Sequence, residues 1–384
     1  MRFKNRLFSF LSYLAFFLCL LPIAIFIYKH PAYNFDMLGY MALVIRMDTH
    51  DLNEVHATTY QKAGQDIPEE EYRKLTEGLP FRKKMASDPL QFEKVLPIYS
   101  VKPLYIGLCW LSYKCGFSLV TSTVIPSIIS YLIIGLFLLF WLKKYLQHVV
   151  AFLSALLIMC SMFVVAIAGH STPDCLSTLF LSVSIYFILE KQNISLMFLF
   201  FLLSILTRAD NVITCFFIAS FLAFNKKWKT INLRQYFLMT AILGITYVFA
   251  ILPVTQFGWS IFYYPQYVKH IDLSRDFDQS ITFSSYVALV YSKLVTAMVS
   301  TQFTFFMFLC LLILGSPFSS WRKFKFDQAF LLLLLFIIFF RFLLLPDLSD
   351  RFYFGFYLVF IILLVRKLQS QILAPHNKNH KDLI

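Results

Sequence analysis

Phe26-Ile27-Tyr28-Lys29-His30-Pro31-Ala32-Tyr33-Asn34-Phe35-Asp36 closes a hydrophobic run that starts near Leu7 and places a carboxylate just beyond its end. The run from Leu7 to Tyr28 has the ~20 residues needed to cross a bilayer. It exceeds the roughly 7–15-residue core of a signal peptide, and no small-x-small cleavage site follows it. It reads as an uncleaved signal anchor. Asp36 then sits close to the membrane surface, at the mouth of a long polar loop.

Working outward, apolar runs of similar length recur along the chain. Hydrophobic residues make up 59% of the sequence, and Phe alone counts 45. A soluble domain is about half apolar. The runs do not alternate as barrel strands would. The fold class is therefore all-α, a polytopic transmembrane helical bundle. About ten spans are expected, near 7–28, 119–142, 149–168, 173–189, 194–207, 210–224, 235–254, 287–314, 327–345 and 351–366. The whole chain, 1–384, reads as one membrane domain.

The net charge is +13, and its placement reports topology. Basic residues cluster in 2–6, 143–144, at Lys191, and in 226–234, 322–325 and 366–381. These clusters fall at alternate ends of the spans, so all can lie on the cytoplasmic side together with both termini. No soluble basic domain exists to carry nucleic acid. The seven cysteines lie mostly in apolar runs and form no CxxC pair, which reads as packing.

The first outer loop, 29–102, holds 11 of the 21 acids. Within it, Met37–Met47 is apolar and is expected to lie along the membrane surface. Pro68-Glu69-Glu70-Glu71 reads as a helix start. The following run, Pro103–Gly116, is expected as an interfacial helix with Tyr105, Trp110 and Tyr113 at the interface. If it crossed, every later basic cluster would invert. A second outer loop spans about 255–286.

Charges at the membrane edge are rare and costly, so each marks a candidate site. Asp36, Lys102, Asp174, Arg208, Asp210, Asp347, Asp350 and Arg351 all fall at the outer end of the expected bundle. Lys293 and Arg341 read as charges within spans. His50 and His56 flank Asp51 and Glu54 without zinc-ligand spacing. Tyr263-Tyr264 reads as a sugar-stacking pair or an interfacial belt.

Four segments carry a resemblance: Asp36 after the first span, Tyr99-Ser100-Val101-Lys102-Pro103-Leu104, Ser171-Thr172-Pro173-Asp174 and Thr207-Arg208-Ala209-Asp210-Asn211. In this order the chain resembles the C-type membrane glycosyltransferases, in the aminoarabinose-transferase and protein O-mannosyltransferase branch. The resemblance covers about residues 7–225. The second Pro of the Lys-Pro-Pro pattern is absent, Asp36 stands alone where the family has paired acids, and no large soluble C-terminal domain follows.

The resemblance implies a sugar donor on a polyprenyl phosphate, used on the outer face with a lipid or glycan acceptor. Asp36 and Asp174 are then the catalytic carboxylates. Lys102, Arg208, Asp210, Arg351 and Tyr263 are the substrate-binding residues. A carboxylate takes the proton of an attacking hydroxyl, and cations meet the charge of the departing phosphate. No cofactor is implied. A divalent metal held by Asp36 and Asp174 stays open, because hard cations take oxygen ligands. The expected location is a bacterial inner membrane. A transporter or flippase of a lipid-linked substrate, a lipid-linked glycan polymerase or ligase, and a non-catalytic scaffold stay open beside this reading.

Overall fold

The structure is a computed structural model that describes residues 2–225, 230–257, 282–299, 326–347 and 349–373. Tyr263, Asp272, Asp276 and Asp278 lie outside the described residues. The described chain is helical, with one isolated bridge between Ala32 and His170.

Each expected span has a helix over its described residues, and 300–314 of the span expected at 287–314 lie outside them. The helices are α1 (Arg2–Lys29), α9 (Leu119–Leu142), the pair α10 (His148–Met159) and α11 (Met162–Gly169), and α12 (Asp174–Tyr186) with a π turn at Phe187–Lys191. α13 (Ile194–Thr207), α14 (Asn211–Phe224) and α15 (Leu233–Ile251) follow. The last are α16 (Phe283–Val299), α17 (Phe326–Leu344) and α18 (Phe354–Leu373). Among the described residues, four stretches are long and apolar enough to cross alone: Phe10–Lys29, Leu119–Leu142, Leu233–Thr255 and Phe326–Leu344. α10 and α11 make one apolar path bent by 56°. α13 and α14, at 14 residues each, extend only about 21 Å at 1.5 Å per residue, less than the ~30 Å hydrocarbon core.

Seven shorter helices cap one end of the bundle. They are α2 (Phe35–Arg46), α3 (Leu52–Asp66), α4 (Glu69–Thr76), α5 (Pro80–Ser87), α6 (Pro89–Glu93), α7 (Leu96–Ser100) and α8 (Pro103–Lys114). α4 begins as its sequence suggests, with three glutamates in the first turn beside the positive end of the helix dipole. α8 is too short to cross and meets the segment before it at 111°. It packs on α9, α2 and α13.

Two expectations change. α2 does not present its apolar face to lipid, because Met37 to Ile45 are all buried within the protein. It packs against α3, α7, α8 and α9, as a helix apolar on every side should. Tyr105 is not interfacial either. It is fully buried, and its hydroxyl donates to the Thr123 carbonyl at 2.5 Å. Trp110 does reach the polar edge, donating to Asp48 at 3.1 Å.

The cap is fastened to the bundle where the site needs it. Ala32 N–H donates to Gly169 O at 2.9 Å, joining the exit of α1 to the approach of α12. Ser171 Oγ meets Thr123 Oγ1 at 2.9 Å, and Ser127 Oγ donates to Thr172 O at 2.8 Å. These bonds satisfy buried backbone between helices, which otherwise costs several kcal/mol in a bilayer.

Candidate active site

Local chain chemistry aims each charged group. Asn34 caps α2 by accepting from Met37 N at 3.0 Å, which puts Asp36 in the first turn. Pro103 opens α8, where its missing N–H costs nothing, so Lys102 becomes the N-cap. Pro173 likewise precedes α12, with Asp174 as its first residue. Arg208 and Asp210 fill the tight link between α13 and α14. Arg351 lies in the 3-10 turn Asp350–Phe352, between α17 and α18.

These groups form one alternating chain of charges. Arg351 reaches Asp36 Oδ2 with Nη1 at 3.8 Å and Asp174 Oδ2 with Nε at 3.7 Å. Asp174 also accepts from Arg208 Nη1. Arg208 grips Asp210 with both Nε (3.1 Å) and Nη2 (2.9 Å), a bidentate geometry that suits a guanidinium. Asp210 then accepts from Arg341 Nη2. The order is Asp36, Arg351, Asp174, Arg208, Asp210, Arg341, with signs alternating throughout. Three carboxylates balance three guanidiniums, which is how buried charge is tolerated.

The chain divides into an open outer pair, Asp36 and Arg351, and four more buried members. The Asp36 side chain is 33% exposed, whereas Asp174 is 2% and Arg341 3% exposed. Burial alone would weaken the charge on Arg208, but Asp210 and Asp174 outweigh it and raise its pKa. The Phe352 ring packs beneath two of the cations, 4.3 Å from Arg208 and 5.0 Å from Arg351.

Lys102 stands beside the chain. Its Nζ donates to Tyr40 OH at 2.5 Å and faces the rings of Tyr40 and Tyr99. Burial pulls its pKa from 10.5 down to about 8, with Asp36 and Asp174 opposing the fall. Among the described residues no carboxylate pairs with it at ion-pair distance. Burial, and then the nearby Asp36 charge, push the Tyr99 phenol well up, so it stays protonated.

Of the other expected residues, Asp347 accepts from Ser349 N at 2.9 Å and shapes the turn. Asp350 accepts from Tyr357 OH at 2.9 Å, and burial raises its pKa. His56 is a core residue, bonded through Nε2 to Met85 O at 2.9 Å and packed on Tyr60 and Phe92. Cys109 and Cys115 are free thiols. The oxygens of Asp36 and Asp174 that could hold a metal face arginines. Among the described residues no group of three His, Cys, Asp or Glu is placed to bind one.

Arg341 is the member that the sequence does not place here. It sits one turn inside an apolar helix, and Pro346 ends that helix's path just beyond it. Phe352 carries no sequence signal among so many aromatic residues.

Residues 102–254 match the family described as Dolichyl-phosphate-mannose-protein mannosyltransferase. The matched segment holds Lys102, Asp174, Arg208 and Asp210; Asp36, Arg341 and Arg351 lie outside it. No curated protein and no solved structure gives a match. The family match supports the resemblance to the protein-mannosyltransferase branch of the C-type superfamily and indicates a membrane glycosyltransferase.

Proposed function

We propose that this protein transfers a sugar from a polyprenyl-phosphate donor to a hydroxyl of a lipid or glycan at the outer face of the membrane. The observation that carries the reading is Arg351 bridging Asp36 and Asp174, with the Lys102 ammonium beside them. A partly exposed carboxylate next to two cations suits a reaction that must take a proton and release a phosphate. The location proposed is a bacterial inner membrane, with both termini cytoplasmic.

In this mechanism the donor phosphate docks on Lys102 and Arg351. Arg351 holds Asp36 loosely, so a phosphate can draw it away and leave Asp36 open to the acceptor. The acceptor oxygen bonds to the anomeric carbon as the bond from that carbon to the phosphate oxygen breaks. Asp36 receives the hydroxyl proton. The polyprenyl phosphate leaves with the electron pair, and the cations stabilise its charge. The protonated Tyr99 phenol stands near Asp36. Asp174 and Asp210 are committed to arginines, so their part is to hold Arg351, Arg208 and Arg341 in place. A transporter reading draws on charges within spans; Arg341 was one of the two, and it belongs to the loop-end chain.

The test is transfer by purified full-length protein in lipid nanodiscs, given a radiolabelled polyprenyl-phosphate sugar and lipid acceptors. Labelled lipid or glycan product, with release of polyprenyl phosphate, is the expected result. Failure to bind any polyprenyl phosphate would remove the reading. The orientation is tested by single cysteines at the exposed Gln65 and Lys191 in a cysteine-free background. An impermeant reagent should label the first and spare the second in intact cells.

A further inference from the structure

The end of the bundle opposite Asp36 holds a second polar cluster that the transfer chemistry leaves unused. Glu190, in the π turn, accepts from Trp141 Nε1 at 2.9 Å, Lys144 Nζ at 3.2 Å, Arg366 Nη1 at 3.3 Å and the Tyr145 hydroxyl. Arg366 Nε also reaches Asp327 at 3.1 Å. These contacts tie α9, the π turn, α17 and α18 together. Gln192, just after the π turn, has φ 49, a left-handed backbone that few residues other than glycine adopt. π turns concentrate at functional sites, and such strain persists only where the surroundings impose it.

Beside the cluster lies a cavity of about 410 Å³, within the ~300–1,000 Å³ range of ligand sites. Its walls divide by character. Leu189, Met197 and Leu222 are apolar, while Arg366, Asp327, Asn193 and Thr230 are polar. Arg366 uses Nε on Asp327, and Nη1 on Glu190 and the Leu189 carbonyl. Its Nη2 has no partner among the described residues. Lys144 adds a second cation to the adjoining Glu190 cluster. A guanidinium edge next to an apolar wall, at the level where the long helix α9 ends, fits a headgroup that carries both an anion and a chain.

We propose that this cavity binds the phosphate headgroup of an anionic membrane phospholipid, with Arg366 Nη2 on the phosphate and the apolar wall on the start of the acyl chains. A free phosphate would meet the arginine but gain nothing from Leu189, Met197 and Leu222. The site is separate from the sugar-transfer centre, so its test does not read activity.

Delipidated full-length protein in detergent would be unfolded thermally with added phosphatidylglycerol, phosphatidylcholine or inorganic phosphate. Phosphatidylglycerol should raise the midpoint, and the other two should not. Arg366→Gln should weaken the apparent phosphatidylglycerol affinity at least about tenfold, the loss expected for one charge-assisted contact. Arg366 also anchors Glu190, so that variant can fail to fold. Thr230→Trp fills the rim of the cavity without touching the Glu190 cluster and should cause the same loss. Equal effects of the two phospholipids would overturn the proposal. So would wild-type affinity in Thr230→Trp, or full stabilisation by inorganic phosphate alone.

Discussion

Arg351 Nη1 lies 3.8 Å from Asp36 Oδ2, so a turn near the C-terminal end of the chain touches the first residues beyond the first span. The contact is long for an ion pair, and both side chains are about one-third exposed. Exposed pairs at such distance contribute little to stability, typically ~0–1 kcal/mol. The pairing is therefore one that a substrate can break.

It follows that Asp36→Asn keeps shape and fold while removing the proton acceptor. Turnover with a labelled polyprenyl-phosphate sugar should fall by about 10²–10⁴, the usual share of general-base catalysis. Donor affinity and the yield of folded protein should hold. Full activity in Asp36→Asn would remove the catalytic assignment.

Lys102 supplies a pH signature. Its ammonium is depressed to about 8 by burial, against the pull of Asp36 and Asp174. Below that pH it is charged and meets the donor phosphate; above it the charge is lost. The profile of kcat/KM for the donor should therefore turn down as pH rises through about 8, since that ratio reports the free enzyme. Lys102→Arg should carry the plateau on to at least about pH 10, because a guanidinium stays charged there. A limb unmoved by Lys102→Arg would assign it to another group.

Asp174 should respond differently from Asp36. It is 2% exposed and engaged by Arg208 and Arg351. Removing one partner from a buried ionic chain leaves an uncompensated charge, which costs about 3–5 kcal/mol. Asp174→Asn should lower the unfolding midpoint sharply and reduce the yield of folded protein, whereas Asp36→Asn should not. Equal midpoints for the two variants would contradict the unequal burial along the chain.

The same contrast explains what the sequence made legible. Asp36, Lys102, Asp174, Arg208, Asp210 and Arg351 stand out because a charge at the edge of an apolar run is rare, and the charge topology sends all six to one end. Their order in the network is not written locally, since it depends on how α1, α12 and α17 dock. Arg341 was hidden because it lies inside an apolar run; only the turn after Leu344 shows which end it serves. α2 was misplaced for a related reason. Apolar patterning says that a helix is covered, but the rest of the loop, and not lipid, turned out to cover it.

Gly39 offers a test of how the cap positions Asp36. A Cβ at Gly39 would fall 2.3 Å from Tyr99 Cδ2, closer than real side chains come. The ring cannot yield easily, because Tyr99 is buried and packs edge-on against Tyr40 at 5.4 Å. The Tyr99 phenol stands near Asp36, and Tyr40 accepts from Lys102, so the glycine sits under both arms of the proposed site. Gly39→Ala should cost about 1–3 kcal/mol, as overpacking of a filled core does. It should also lower kcat at least about tenfold, because sub-ångström displacement of a base matters in proton transfer. Tyr99→Phe leaves the packing intact and removes only the hydroxyl, so it separates the two effects. Its unfolding midpoint should stay near wild type while turnover falls, because the phenol hydroxyl near Asp36 is lost. Wild-type turnover in Tyr99→Phe would show that Tyr99 only packs.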